Sequence, residues 1–268
     1  MKKRIIIIFS SFILAVAALW IGSFIYANDF SVPTYADEKL SSLQKVLIMF
    51  PHADDEALTS GGLISRLAKE KAQIQWIVLT QGEKGNPEGK TDEKLKQIRS
   101  GEARKAADVY GVSKLALREY PDGDVAAHRE KLTEEVEEII VSSNPDLIIT
   151  YDQAGLYGHP DHVVTSEVVT EITKKFPSIQ LWYASYPRRI LDSVSLPEEM
   201  ALDVNFKNKR VYPTIKIWVG LRGVINKIKA VYLYESQRNS YVNSFPITFI
   251  PLWFYVSLTP FEYYYVAR

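Results

Sequence analysis

Short apolar runs alternate with longer segments of helical spacing along this chain, and that alternation restricts the possible folds more than any other feature. The runs lie at 46–50, 74–79, 114–117, 146–150 and 179–184 and are rich in β-branched and aromatic residues. Between them, segments at about 56–70, 93–110, 128–142 and 161–175 place apolar residues at helical intervals, as with Leu63, Ile64 and Leu67, or Val136, Ile139 and Ile140. Strand, helix, strand in repetition implies right-handed crossovers, so the expected fold is α/β, a mostly parallel sheet with helices on both faces. In such sheets the ligand crevice lies beyond the carboxyl ends of the strands. Chemistry is therefore sought in the residues that directly follow a strand.

The 268 residues, 47% hydrophobic and 24% charged, suffice for one sizeable core. Lys+Arg and Asp+Glu both total 32, which leaves no basic footprint for nucleic acid. With no cysteine, a disulfide framework, a thiolate metal site and a Cys nucleophile are all excluded. Any metal must be held by nitrogen and oxygen.

The chain opens MKKRIIIIFSSFILAVAALWIGSFIYANDF, uncharged from Ile5 to Ala27. As a helix rising ~1.5 Å per residue, that stretch crosses a hydrocarbon core of ~30 Å. Residues 1–27 are thus expected to be a transmembrane anchor or an uncleaved signal. Lys2, Lys3 and Arg4 precede the apolar stretch, so the positive-inside rule leaves the N-terminus in the cytoplasm. A single-pass cell-membrane protein with its domain outside is the expectation, with 28–44 as a tether and 45–268 as the domain. The end of that domain, 243–268, is densely aromatic, with Phe245, Phe249, Trp253, Phe254, Tyr255, Phe261 and Tyr263 to Tyr265. Pro246, Pro251, Pro260 and Glu262 argue against a second straight span. The segment either rests on the bilayer or completes the core with strands.

Two polar clusters follow strands. His52-Ala53-Asp54-Asp55-Glu56 ends the first apolar run, and His159-Pro160-Asp161-His162 opens a helix after the fourth. A single acid there is accounted for by an N-cap, but a histidine with two adjacent acids is not. Three of the four histidines of the chain fall in these two segments. Catalytic zinc sites use three protein ligands and leave an open position, and His52, Asp55 and His162 supply such a set. Side chains of consecutive residues diverge, so Asp54 is free to meet the water as general base. His159 can stabilise an oxyanion as an imidazolium and protonate a leaving amine. Asp161 can hold a histidine from behind.

With these residues in place, the sequence resembles the zinc-dependent N-acetylglucosaminyl de-N-acetylases of the PIG-L, or LmbE-like, family. The family's Ala-His-Pro-Asp-Asp-Glu motif matches Pro51 to Glu56, with Ala53 where the motif has proline, and His-Pro-Asp-His is intact at 159–162. TQGEKG at 80–85, the Arg99-x-x-Glu102 helix, YPDGD at 120–124 and KIKAVYLYESQ at 227–237 resemble further family segments in the same order. The resemblance implies a Rossmann-like α/β fold, Zn2+ on His52, Asp55 and His162, and Asp54 as general base. It also implies catalytic roles for His159 and its supporting Asp161, and contact of Arg99 and Asp122 with sugar hydroxyls.

The reaction so implied is removal of an acetyl group from an N-acetylglucosamine-type sugar, with metal-activated water attacking the amide. An outward-facing domain makes an envelope or lipid-linked glycoconjugate the expected substrate. Alternatives from other classes are a metal-dependent phosphoesterase, which favours two metals and more carboxylates, and a non-catalytic, membrane-tethered glycan-binding module. Tyr234 and Gln237 are further candidates for the pocket, whereas His128 is expected to be solvated.

Overall fold

The computed structural model describes residues 2–86, 88–202, 204–245 and 247–268. Met1 of the expected anchor and Pro246 of the aromatic segment lie outside them. The strands are β1 (Lys45–Phe50), β2 (Gln73–Thr80), β3 (Lys114–Tyr120), β4 (Leu147–Thr150), β5 (Gln180–Ser185), β6 (Ile215–Trp218) and β7 (Phe261–Val266). The principal helices are α1 (Lys2–Ala27), α2 (Asp55–Thr59), α3 (Gly61–Lys69), α4 (Glu93–Tyr110), α5 (Arg129–Ser143), α6 (Pro160–Thr173), α7 (Gly220–Leu233), α8 (Arg238–Asn243) and α9 (Leu252–Ser257).

One seven-stranded sheet runs in the order β3-β2-β1-β4-β5-β7-β6. The first five strands in that order pair in parallel, whereas β7 runs antiparallel to both β5 and β6. β1 is central and is buried on both faces from Val46 onward, which is why it reads as a continuous apolar run. Its side chains alternate. Val46, Ile48 and Phe50 enter a core with Leu63, Leu67, Ala103 and Ala230, from α3, α4 and α7. Leu47 and Met49 enter a second core with Val136 and Ile140 of α5 and Val168 and Ile172 of α6. Each such aliphatic side chain contributes roughly 1.5–3 kcal/mol when fully buried.

The expected helix at 56–70 is divided. Gly62 and Leu63 donate their amides to the Glu262 carboxylate at 2.8 and 2.7 Å, so α3 has its own N-terminus. A Cβ at Gly61 would meet the Tyr110 ring at 2.8 Å, and one at Gly62 would meet Val219 at 2.7 Å, so both close approaches need glycine. Glu262 also pairs with Lys227 at 3.1 Å, both side chains essentially inaccessible. The C-terminal residues 261–266 are therefore a core strand. Segment 28–44 lies against the domain, with Asn28, Leu40 and Leu43 buried and a bridge from Thr34 to Lys216.

α1 contains an apolar stretch, Phe9–Ala27, of mean hydropathy 1.9 with none of it buried. A spanning helix and a signal sequence share that description.

Candidate active site

From β1 the chain turns to β2 on one side, and β4 lies on the other. This reversal opens a crevice at the carboxyl ends of β1 and β4. His52 follows β1, Asp122 follows β3, and the loop after β4 leads through Gly155 to His159 and His162. The structure brings six predicted residues, His52, Asp55, Asp122, His159, Asp161 and His162, to this one place, with Asp54 and Arg99 beside them.

The two rings facing each other are His52 and His162, with Nδ1 of the first 3.1 Å from Nε2 of the second. Nε2 of His52 lies 3.2 Å from both Asp122 Oδ1 and Asp161 Oδ2, so that nitrogen carries the proton. Nδ1 of His162 lies 3.2 Å from the Gly155 carbonyl and is protonated by the same logic. The facing nitrogens therefore present lone pairs to each other. Asp55 adds a carboxylate, 3.5 Å from His52 Nδ1 and 3.2 Å from His162 Nε2. Three donors directed at one point repel unless a cation lies among them. Their separations suit ligands ~2.0–2.1 Å from zinc, whose tetrahedral edges are ~3.3 Å. The residues thus fit a metal, and each imidazole is braced from behind by an acceptor.

Two other groups, His52 with His159 and His162 and His52 with Asp122 and Asp161, also have donor atoms in mutual reach. Asp161, however, is wholly buried and already accepts the Gly123 and Val125 amides at 2.7 and 3.1 Å. Its carboxylate is directed to His52 and not to His159. Asp122 accepts the Lys84 amide at 2.9 Å in addition to its contact with His52. Both acids act on the orientation of His52.

Electrostatics divide the acids. Burial opposes ionisation of Asp55, but His162 and His52 overcome it and hold its carboxyl far below the usual range. Asp122 is likewise opposed by burial and brought down to about 2 by its bond to His52. Burial works against charge on His52, and bonds to Asp122, Asp161 and Asp55 nevertheless raise its pKa well above normal, so its Nδ1 lone pair attracts a cation, proton or metal, where His162 and Asp55 converge. Asp54 is pushed up to about 7 by burial, against the pull of Arg99. A carboxyl that titrates near neutrality is suited to accept and return a proton.

Asp54 sits at φ 106°, a left-handed conformation costly for a residue with a Cβ. Neighbours hold it there. Its amide donates to Glu56 Oε2 at 3.1 Å, and its carbonyl accepts from the Tyr241 hydroxyl at 3.3 Å. Buried Arg99 donates to the Ala53 carbonyl at 2.8 Å and to Asp54 Oδ1 at 3.3 Å. A Cβ at Gly82 or Gly85 would run into this guanidinium, so the loop after β2 is a cradle for Arg99. Arg99 thus fixes the acidic loop, and Ala53 keeps its place in that loop without proline.

His159 caps α6, its Nδ1 accepting the Asp161 amide at 3.2 Å. Its proton is then on Nε2. Burial, with repulsion from His52 and His162, lowers its pKa to about 4, which makes it a neutral donor where the sequence suggests an imidazolium.

Three residues were not singled out by sequence for these roles. Glu56 is fully buried and accepts the Tyr234 and Tyr110 hydroxyls at 2.8 and 3.2 Å. Tyr151, directly after β4, stacks on His162 at 4.7 Å and donates to the Asp55 carbonyl at 3.0 Å. Tyr241 holds the Asp54 carbonyl. Position after a strand was the available signal for Tyr151. Tyr234 and Gln237 are buried in support of this shell, with Ser236 bound to Glu102 at 2.6 Å, and His128 is exposed.

The fold and pocket define an α/β domain with a histidine- and carboxylate-lined site at the switch point of its sheet. Residues 47–173 match the family described as GlcNAc-PI de-N-acetylase, PIG-L. A probable N-acetyl-alpha-D-glucosaminyl L-malate deacetylase 2 of Bacillus anthracis is 32% identical over 137 residues, 49% of this chain and 60% of the relative. The chain therefore spans less than two thirds of that relative. Among solved structures, the N,N'-diacetylchitobiose deacetylase of Pyrococcus horikoshii gives a TM-score of 0.54 at 21% identity, covering 75% of this chain and 73% of that one. The 4-carboxy-2-hydroxymuconate hydratase of Pseudomonas putida gives 0.57 at 16%, covering 80% and 83%. These two likenesses concern the fold, which hosts more than one chemistry.

Proposed function

We propose that the protein removes the acetyl group from an N-acetylglucosamine-type sugar on an envelope or lipid-linked glycoconjugate, with zinc held by His52, Asp55 and His162. The observation that carries this reading is the convergence of two imidazole lone pairs and one carboxylate beside Asp54. A metal bound there supplies Lewis acidity and acidifies water.

The remaining work falls to the chain. Asp54 takes a proton from the attacking water and returns it to the sugar nitrogen as the C–N bond breaks, leaving acetate and a free amine. His159 donates Nε2–H to the amide oxygen as negative charge grows on it. Arg99 keeps the Asp54 carboxylate in position, and Asp122 and Asp161 keep His52 in its tautomer. The deacetylase names of relatives support the substrate class, and α1 supports a membrane location with the domain outside.

The test is acetate release by the purified, zinc-loaded full chain from a panel of N-acetylglucosamine conjugates, soluble and lipid-linked, beside Asp54→Ala. Acetate from the wild type alone is expected. Equal acetate from both removes Asp54 as base, and about two metals per chain with phosphate-ester cleavage favours the phosphoesterase.

A further inference from the structure

Between Arg238 and Glu262 the chain carries no charged residue. The C-terminal part of this stretch enters the core, but its middle does not. Phe249 is 86% exposed, Trp253 49% and Ile247 42%. The apolar surface they form is held in shape. Phe245 and Tyr255 stack at 4.3 Å, and the Tyr255 hydroxyl donates to the Ile247 carbonyl at 2.9 Å. α9 packs on α7, burying Leu252 and Val256 and turning Trp253 outward.

Its position relative to α1 says what covers it. Trp20 Nε1 donates to Ser257 Oγ at 3.3 Å, and Asn28 Nδ2 donates to the Leu258 carbonyl at 2.7 Å. Trp20 precedes Ala27 by two turns, about 10 Å along the helix axis. The segment ending at Ser257 thus stands level with the apolar stretch of α1, short of the point where the chain leaves it. Polar contacts follow further out. Exposed Arg189 donates to the Ile25 and Asn28 carbonyls at 3.5 Å, with its guanidinium over the Tyr26 ring. Aromatic residues at the acyl boundary with a cation beyond them match the layering of a membrane interface.

We propose that residues 247–257 dock into the outer interface of the bilayer beside α1, giving the domain a second membrane contact. The proposal rests on α1 lying in the membrane. Its consequence for the site is direct, because Tyr241 of α8, just before this segment, holds the Asp54 carbonyl at 3.3 Å. The wall of the pocket is thereby held near the lipid surface, where a lipid-linked sugar arrives with little freedom.

The absence of native cysteine permits single-site labelling. Leu14→Cys, Phe249→Cys, Trp253→Cys and Val141→Cys, all at exposed positions, are spin-labelled in the full chain in vesicles of phosphatidylcholine and phosphatidylglycerol. Collision with lipid-dissolved oxygen is compared with collision with an aqueous nickel chelate. Labels at 14, 249 and 253 are expected to lose chelate collisions and gain oxygen collisions, while 141, on α5, keeps chelate collisions. A label at 14 in lipid with 249 and 253 as open to chelate as 141 overturns the docking and leaves the anchor standing. A label at 14 open to chelate removes the anchor, and with it docking beside α1.

Discussion

His52 is fixed at both ring nitrogens, and most of the chemistry follows from that. Two carboxylates hold its Nε2–H, so Nδ1 is left to face His162 and Asp55. Asp161→Asn removes one brace without changing side-chain volume, and a 10–100-fold loss of metal affinity is expected in competition with a chelating dye. Asp54→Asn leaves the ligands intact and is expected to lower kcat by about 10²–10⁴-fold, with metal content unchanged. Arg99 stabilises the charged form of Asp54. Arg99→Met therefore raises the pKa of the base, and the acidic limb of kcat/KM is expected to move to higher pH. A limb that stays in place would mean that another group titrates there.

At the scale of elements, the late strand β7 supplies what the helix α3 lacks. Glu262 accepts two amides at the start of α3 and neutralises Lys227. Glu262→Ala leaves a buried ammonium unpaired, and a loss of about 3–5 kcal/mol is expected in denaturant unfolding of the full chain. Glu56 contributes a pH dependence. Burial, against the bond from Tyr234, raises its pKa from 4.5 to about 8, so the folded state holds a proton that the unfolded state has lost between those values. Stability falls as pH rises through that window. Glu56→Gln is expected to flatten the slope of unfolding midpoint against pH between 4.5 and 8. The strands β1 to β5 and their helices were legible in the sequence because each strand carries a short apolar run, unbroken where it is buried on both faces as in β1 and β4. β6 was not, and β7 was only one of two readings of 243–268, since FEYYYV places a buried glutamate and a row of tyrosines where an apolar run would be read, and Lys227 lies distant in sequence. Both polar motifs were legible because they follow strands, and the structure brings them together. The bracing role of Asp122 and the placing of Arg99 under Gly82 and Gly85 depend on contacts between loops that no spacing encodes.

For the whole molecule, the apolar helix, the uncharged aromatic segment and the pocket form a sequence of contacts from Trp20 through Ser257 to α7, and from α8 to Asp54. An outward-facing domain is the proposed arrangement. A reporter active only outside the cytoplasm, fused after Arg268, is expected to be active, and activity of a cytoplasm-only reporter at that point would reverse the topology and the envelope substrate with it. The pocket makes the most specific demand, that a cation join His52, Asp55 and His162. The X-ray absorption spectrum of the zinc-loaded full chain tests it most directly. Two imidazole nitrogens and a carboxylate at ~2.0–2.2 Å are expected, unchanged in His159→Ala. A shell that loses a ligand in His159→Ala, or a chain that takes up no zinc, would contradict the account.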